Sequence, residues 1–212
     1  FIQHHSGGGI RYNLQIFNGG QQGHGPSGIG HHDDLRRPDG MVVAVTQSID
    51  SYFGAKVVHP TLGFLYNNYM SAFEYEDMAH PYYLRPNAVP WASVAPTIVF
   101  RGRKPWLAIG SPGGSRIISM VLLGLLDWVD GADAETIVSR PRYHHQYLPD
   151  EVFYEEGAFS AEEVRQLEAM GHTMRKSNRL YGNMQVVTWD YQSDKVDAAS
   201  DPRWEGGAQV WV

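Results

Sequence analysis

From Met41 onward the chain alternates short apolar runs with polar, Gly- and Pro-rich breaks. MVVAVTQSI and GFLYN carry β-branched and aromatic residues over strand lengths and predict strands. APTIVF and PWLAIG flank the turn RGRK and predict a hairpin. Before them, EYEDMAHPYYLRPNAVPWAS is broken by prolines and predicts a long loop. The apolar run IISMVLLGLLDWV predicts a helix starting at Ser115. Ser119, Gly124 and Asp127 interrupt it, so it suits a buried helix rather than a membrane span. A short second helix is expected from near Asp133 to just before Pro141. The third is marked by a capping box, Ser160 with Glu163, by apolar Val164 and Leu167, and by Gly171 at its end. MQVVTWDY, KVDAAS and AQVWV predict closing strands. Strands, then helices, then strands imply an α/β (α+β) layered sandwich with antiparallel sheets.

Residues 1–40 read differently from 41–212. They hold five of the ten His, many Gly and one strand-like piece, IRYNLQIF. His4, His5, His24, His31, His32, Asp33 and Asp34 offer N and O ligands, but nothing in their spacing makes them converge. No metal and no cofactor is expected. The net charge of −6, without a basic stripe, argues against nucleic acid as a partner. The absence of cysteine excludes disulfides, zinc–thiolate sites and a thiol nucleophile.

The stretch GSPGGSRI, residues 110–117, sits between a predicted strand and a predicted helix. Amides at a helix start lack intrahelical acceptors and carry the positive end of the helix dipole. Gly113 and Gly114 let another group come close to them. Such a turn suits a phosphate, a carboxylate or a developing oxyanion. It lacks the Lys-Ser/Thr ending of a P-loop and the G-x-G-x-x-G dinucleotide pattern. A plain strand-to-helix turn fits the motif equally well.

GSPGGSRI, with APTIVF before it and RPRYHHQYLPDEV after it, resembles the small subunit of the γ-glutamyltransferases, or γ-glutamyltranspeptidases. DGMVVAVTQSIDSYFG, GFLYNNYMSAF and ASDPRWEGGA extend the resemblance from Asp39 to the C-terminus. It implies the N-terminal-nucleophile hydrolase fold, an αββα sandwich shared between a large and a small subunit, and hence a large partner chain. It also implies a precursor that cuts itself, so that a new N-terminal Thr becomes the nucleophile and its freed amine takes the proton. The family's two oxyanion-binding glycines match Gly113 and Gly114.

The match departs from the family pattern at the chemistry. A gap-free count from Gly40 puts the family's nucleophile at Gly30, with His32 matching the His of the Thr-Thr-His string. Taking IRYNLQIF as the first strand instead puts it near Ser6 to Ile10, with Asn18 to Pro38 as a hairpin insertion. The first Thr is Thr46, which matches a Thr of the family's second strand. The Gln and Asp that hold the donor's ammonium correspond to Tyr69 and Ala72, after the retained Asn68. The Ser-Ser pair that holds its carboxylate is Ala92-Ser93, and family Thr and Asn residues become Ser48 and Asp50. The expected catalytic set is therefore Gly113, Gly114, Thr46 and Ser48, and the expected substrate-binding set is Asn68, Tyr69, Ser93 and Asp50. Two functions remain open: an amide hydrolase or acyl transferase with an altered pocket, or a catalytically inactive structural or binding subunit. His144 and His145 are expected to be structural.

Overall fold

The computed structural model describes residues 13–18, 30–36, 42–204 and 206–211, with side chains for 42–204 and 206–210. Strands β1 (Asn13–Asn18) and β2 (Gly30–Arg36) precede β3 (Val42–Ser48). A long irregular segment with one 3-10 turn, Tyr69–Ala72, leads to β4 (Thr97–Arg101) and β5 (Lys104–Gly110). A second 3-10 turn, Gly114–Arg116, opens α1 (Ile117–Val129), and α2 (Ala134–Ser139) follows. After these come β6 (Tyr143–Tyr147), β7 (Asp150–Tyr154), α3 (Ala161–Ala169) and β8 (Met174–Lys176). Strands β9 (Gln185–Asp190), β10 (Lys195–Ser200) and β11 (Gly206–Trp211) close the described chain.

The centre is an antiparallel sheet in the order β10-β9-β5-β4. Its two central strands, β5 and β9, bury both faces, which is why LAIG and QVV read as continuous apolar runs. Leu107, Ile109 and Val186 face one side, where Ile117, Met120 and Val121 of α1 and Ile137 and Val138 of α2 complete a core. Ala108, Val187, Trp189 and Val196 face the other side, against Val42 of β3 and Ala208 and Val210 of β11. A second layer of strands therefore packs on the first. In it β3 pairs antiparallel with β2 and β1 with β11, while β1 runs beside β2 and β11 beside β10. The order of layers is helix, sheet, sheet. Among the described residues no helix covers the outer face of the second sheet, and Val45 on β3 is 43% exposed there.

Local signals explain the helices. Asp133 caps α2 by accepting from the Thr136 amide, and Ser160 and Glu163 form the reciprocal capping box of α3. Gly171, beyond α3, has φ +98°. No helix among the described residues is long and apolar enough to cross a membrane.

Three expectations change. GFLYN is not a strand: only Leu65 bridges to Val58, and the local backbone is held by turns. Helix α1 begins with a 3-10 turn, so regular α-helix starts at Ile117 rather than Ser115. Residues 30–36 are not part of a hairpin insertion; they form β2 beside β3, with Gly30 opposite Ser48 and His32 opposite Thr46. IRYNLQIF supplies β1, which pairs with β11. Ser6, His4, His5 and His24 lie outside the described residues.

Candidate active site

Strand β5 ends at Gly110, and the chain must turn sharply to enter α1. Gly113, with φ 148° and ψ 18°, and Gly114, with φ +60°, make that turn. Both conformations favour glycine. Among the described residues, neither the Gly113 nor the Gly114 amide donates to any hydrogen-bond acceptor. Both residues line a cavity of about 70 Å³, room for several waters or a small polar group.

The period-two alternation of β3 turns Thr46 and Ser48 into the same cavity, on the face that carries Val42 toward the sheet interface. Asp50 follows at φ +70°, its amide donating to Ser48 Oγ at 2.9 Å. Its carboxylate accepts from Ser71 Oγ at 2.9 Å and is, among the described residues, the only carboxylate on the cavity wall. Tyr69 and Ala72, on the 3-10 turn 69–72, form another part of the wall. Ser93 also lines it and donates from Oγ to the Gly114 carbonyl at 2.6 Å, tying the loop before β4 to the glycine turn.

Seven of the eight sequence-predicted site residues thus meet around one space. Asn68 does not line it. Its carboxamide is occupied by Ser51, accepting from the Ser51 amide and donating to Ser51 Oγ, both at 2.8 Å. Asn67 accepts from the Tyr69 amide at 3.0 Å in an Asx turn. Trp91, Val94 and Ile117 line the cavity and were not anticipated. A lone aromatic in a proline-rich loop has no periodicity to flag it.

Behind the turn, Met120 is completely buried. A Cβ on Gly113 would lie 2.4 Å from its Cε, and one on Gly182 would lie 2.2 Å from its Sδ. The segment Tyr181–Met184 is fixed from the far side. Buried Arg142 donates to the Tyr181 carbonyl and pairs with Asp201, whose other oxygen accepts from Arg203. Asp201 also accepts from the Met184 amide, and the Asn183 amide donates to Ser111 Oγ. Burial pulls the Arg142 guanidinium below its usual value, opposed by Asp201.

His144 is buried and shares a 2.8 Å hydrogen bond with Ser119 Oγ, while its Nε2 faces Gln146 Oε1 at 3.2 Å. Burial lowers its pKa. Ser119 and His144 lie outside the cavity wall and pin α1 to β6. His145 pairs with exposed Asp150. Among the described residues no His, Asp and Glu side chains gather as a metal site.

Comparison with known proteins gives this geometry a lineage. The family profile for Gamma-glutamyltranspeptidase matches residues 24–211. The chain belongs to the gamma-glutamyltranspeptidase family. The glutathione hydrolase proenzyme of Escherichia coli K12 is 35% identical over 182 residues, 81% of this chain and 31% of that protein. Scoloptoxin SSD20 of Scolopendra dehaani is 31% identical, over 76% of this chain and 91% of that protein. A gamma-glutamyltranspeptidase from Pseudomonas nitroreducens superposes with a TM-score of 0.76 at 29% identity, covering 85% of this chain and 98% of the solved chain. An acivicin-inhibited gamma-glutamyltranspeptidase gives 0.75 at 30% identity, covering 82% and 98%. This gamma-glutamyltranspeptidase-family chain therefore spans about a third of the proenzyme it matches, yet nearly all of the solved chains. It has the N-terminal-nucleophile hydrolase architecture of those neighbours.

Proposed function

We propose that this chain is the cradle-bearing part of an amide hydrolase or acyl transferase of the gamma-glutamyltranspeptidase family, with an altered donor pocket. One observation carries the reading: the Gly113 and Gly114 amides have no acceptor among the described residues and border a cavity with Thr46, Ser48 and Ser93. In this reading a nucleophilic oxygen adds to the donor carbonyl carbon, and the carbonyl oxygen, now an anion, takes both glycine amides. Collapse expels the amine, which leaves with a proton, and water or a second amine then takes the acyl group. Thr46 and Ser48 offer hydroxyls to orient the nucleophile or its proton.

The donor pocket differs from a clamp for a free amino acid. Tyr69 and Ala72 bring no charge, and Trp91, Val94 and Ile117 make much of the wall apolar. Asp50 is the carboxylate left to meet a cationic group. Ordinary γ-glutamyl donors are therefore poor substrates, and donors with an uncharged or apolar acyl group fit better. The chain's match to a third of the proenzyme but 98% of a solved chain supports a large partner chain that completes the assembly.

A second reading is favoured by β2. Gly30, which the gap-free register places at the nucleophile, lies opposite Ser48 beside the cavity wall and has no hydroxyl. On this reading the chain is an inactive structural or binding subunit. Incubating the purified full-length protein with amide and ester donors of varied acyl group separates the two. Turnover abolished by Gly114→Val supports the enzyme. No turnover, together with mature chains whose first residue is neither Thr nor Ser, supports the binding subunit.

A further inference from the structure

Three described arginines are buried or half-buried: Arg116, Arg142 and Arg203. Arg142 pairs with Asp201, and Arg203 pairs with Glu155 at 2.7 Å and Asp201 at 3.0 Å. Arg116 stands apart, with no ion pair or side-chain hydrogen bond to any described residue and with a buried, unpartnered Nε. Its guanidinium lies 5.0 Å from the Tyr181 ring centre and 5.9 Å from that of Phe153. The rings hold the cation in place but do not satisfy its N–H groups. The nearby carboxylates are engaged elsewhere: Glu151 with Arg175 at 2.8 Å, and Glu155 with Arg203 and the Arg142 and Tyr181 amides. The other polar neighbours, His144 and the Tyr181 phenol, carry no negative charge at neutral pH; Arg116 helps to lower the pKa of His144. A half-buried cation without an anion is costly, and a fork on an aromatic platform is pre-organised for a bidentate carboxylate. None of Arg116, Phe153 and Tyr181 lines the cavity, so a substrate in that cavity does not answer the charge.

We propose that Arg116 is a docking residue. It receives an Asp or Glu side chain from the part of the full-length protein that these 212 residues do not include, with Tyr181 and Phe153 holding its guanidinium ready. This inference rests on the reading of a large partner. The Arg116 amide donates to the Gly113 carbonyl at 3.3 Å, so the docked carboxylate seats on the same turn that carries the two free amides. Assembly and the shape of the cradle are thereby joined at one residue.

The test uses the full-length protein. Its crystal structure is expected to show a carboxylate oxygen from outside this chain within about 3 Å of the Arg116 guanidinium. Arg116→Met is expected to weaken the assembly at least tenfold, measured by urea or dilution, and to reduce the salt dependence of that step. Arg116→Lys should recover part of the loss, and the exposed Arg103→Met should change nothing. A guanidinium that faces only water, a small anion or a carboxylate of this chain overturns the proposal, as does wild-type assembly by Arg116→Met. Intact mass tests the partner reading separately: a mature protein with no material beyond this chain removes the partner, whereas a partner that leaves Arg116 uncontacted removes only the docking role.

Discussion

The helix-backed sheet and the segment 49–96 are built on different terms. The first buries Leu107, Ile109, Met120, Ile137 and Val186 almost completely between β5, β9, α1 and α2. Of the 48 positions in the second, only Gly54 and Phe73 are buried. Its shape comes from local hydrogen bonds: His59 Nδ1 accepts from the Thr61 and Leu62 amides, and Glu74 from the Tyr75 and Glu76 amides. It leaves Leu62, Met78 and Val89 more than two-thirds exposed. Yet this segment supplies Asp50, Tyr69, Trp91 and Ser93 to the cavity. The well-buried half carries the two glycine amides, and the sparsely buried half supplies much of the rest of the cavity wall. On the proposed function, stability and specificity then fall in separable parts of one chain.

That separation sets an order of expected effects. Asp201→Ala leaves buried Arg142 without its carboxylate, while Arg203 keeps Glu155, and is expected to cost about 3–5 kcal/mol, read from the urea midpoint. An equally large loss from any single change between 49 and 96 would break the distinction. Next comes the junction. Gly114→Val forces a β-branched residue to φ +60°, although the space beyond is open. Turnover of whichever donor the full-length protein accepts should fall by about 10²–10³, with most of the fold kept by circular dichroism. Within the loop, Asp50→Asn should raise KM for a cationic donor by about tenfold while leaving the urea midpoint in place. A γ-glutamyl anilide turned over as fast as by ordinary family members would show that Tyr69 and Ala72 do not weaken the donor clamp. Far from the cavity, Ser160→Ala removes the α3 cap and should cost about 1 kcal/mol of stability with turnover unchanged.

The smallest effect is one of pH. The folded pKa of His144 lies below the ordinary imidazole value of about 6.5, because burial disfavours the cation. The unfolded chain therefore binds the proton more readily. The stability that His144 contributes is present above about pH 6.5 and is lost as pH falls through its lower folded value. Urea midpoints at pH 7.5 and 5.5 should differ less in His144→Gln than in the native chain.

Much of the helix-backed half was legible in the sequence because burial there shows as continuous apolar runs in β5 and β9 and as a helical stripe in α1. The β4–β5 hairpin, the bounds of α2, the cap of α3 and the apolar run of α1 all announce themselves. The sheet of β6, β7 and β8 did not. In YHHQY the buried position is His144, satisfied by Ser119 and Gln146, so the inward face looks polar. GFLYN had the composition of a strand without a neighbour to pair with beyond one bridge. In the site, the residues placed by strand alternation or by the glycine turn came through family likeness and spacing. Trp91 enters from an aperiodic loop, and Met120 looks in sequence like any core residue. Its contact with Gly113 and Gly182 exists only once α1 has been laid across the end of β9.

That contact ties the glycine turn to the segment that enters β9. Met120 occupies the space where both Gly113 and Gly182 would place a Cβ, and both glycines hold positive φ. Alanine at either position forces the end of the buried Met120 side chain to shift and also meets the strain of positive φ. Shortening Met120 first opens a void beneath the turn and removes only the steric bar, not the backbone one. Gly113, Met120 and Gly182, far apart in sequence, are thus sterically coupled, and a change at one is felt at the others.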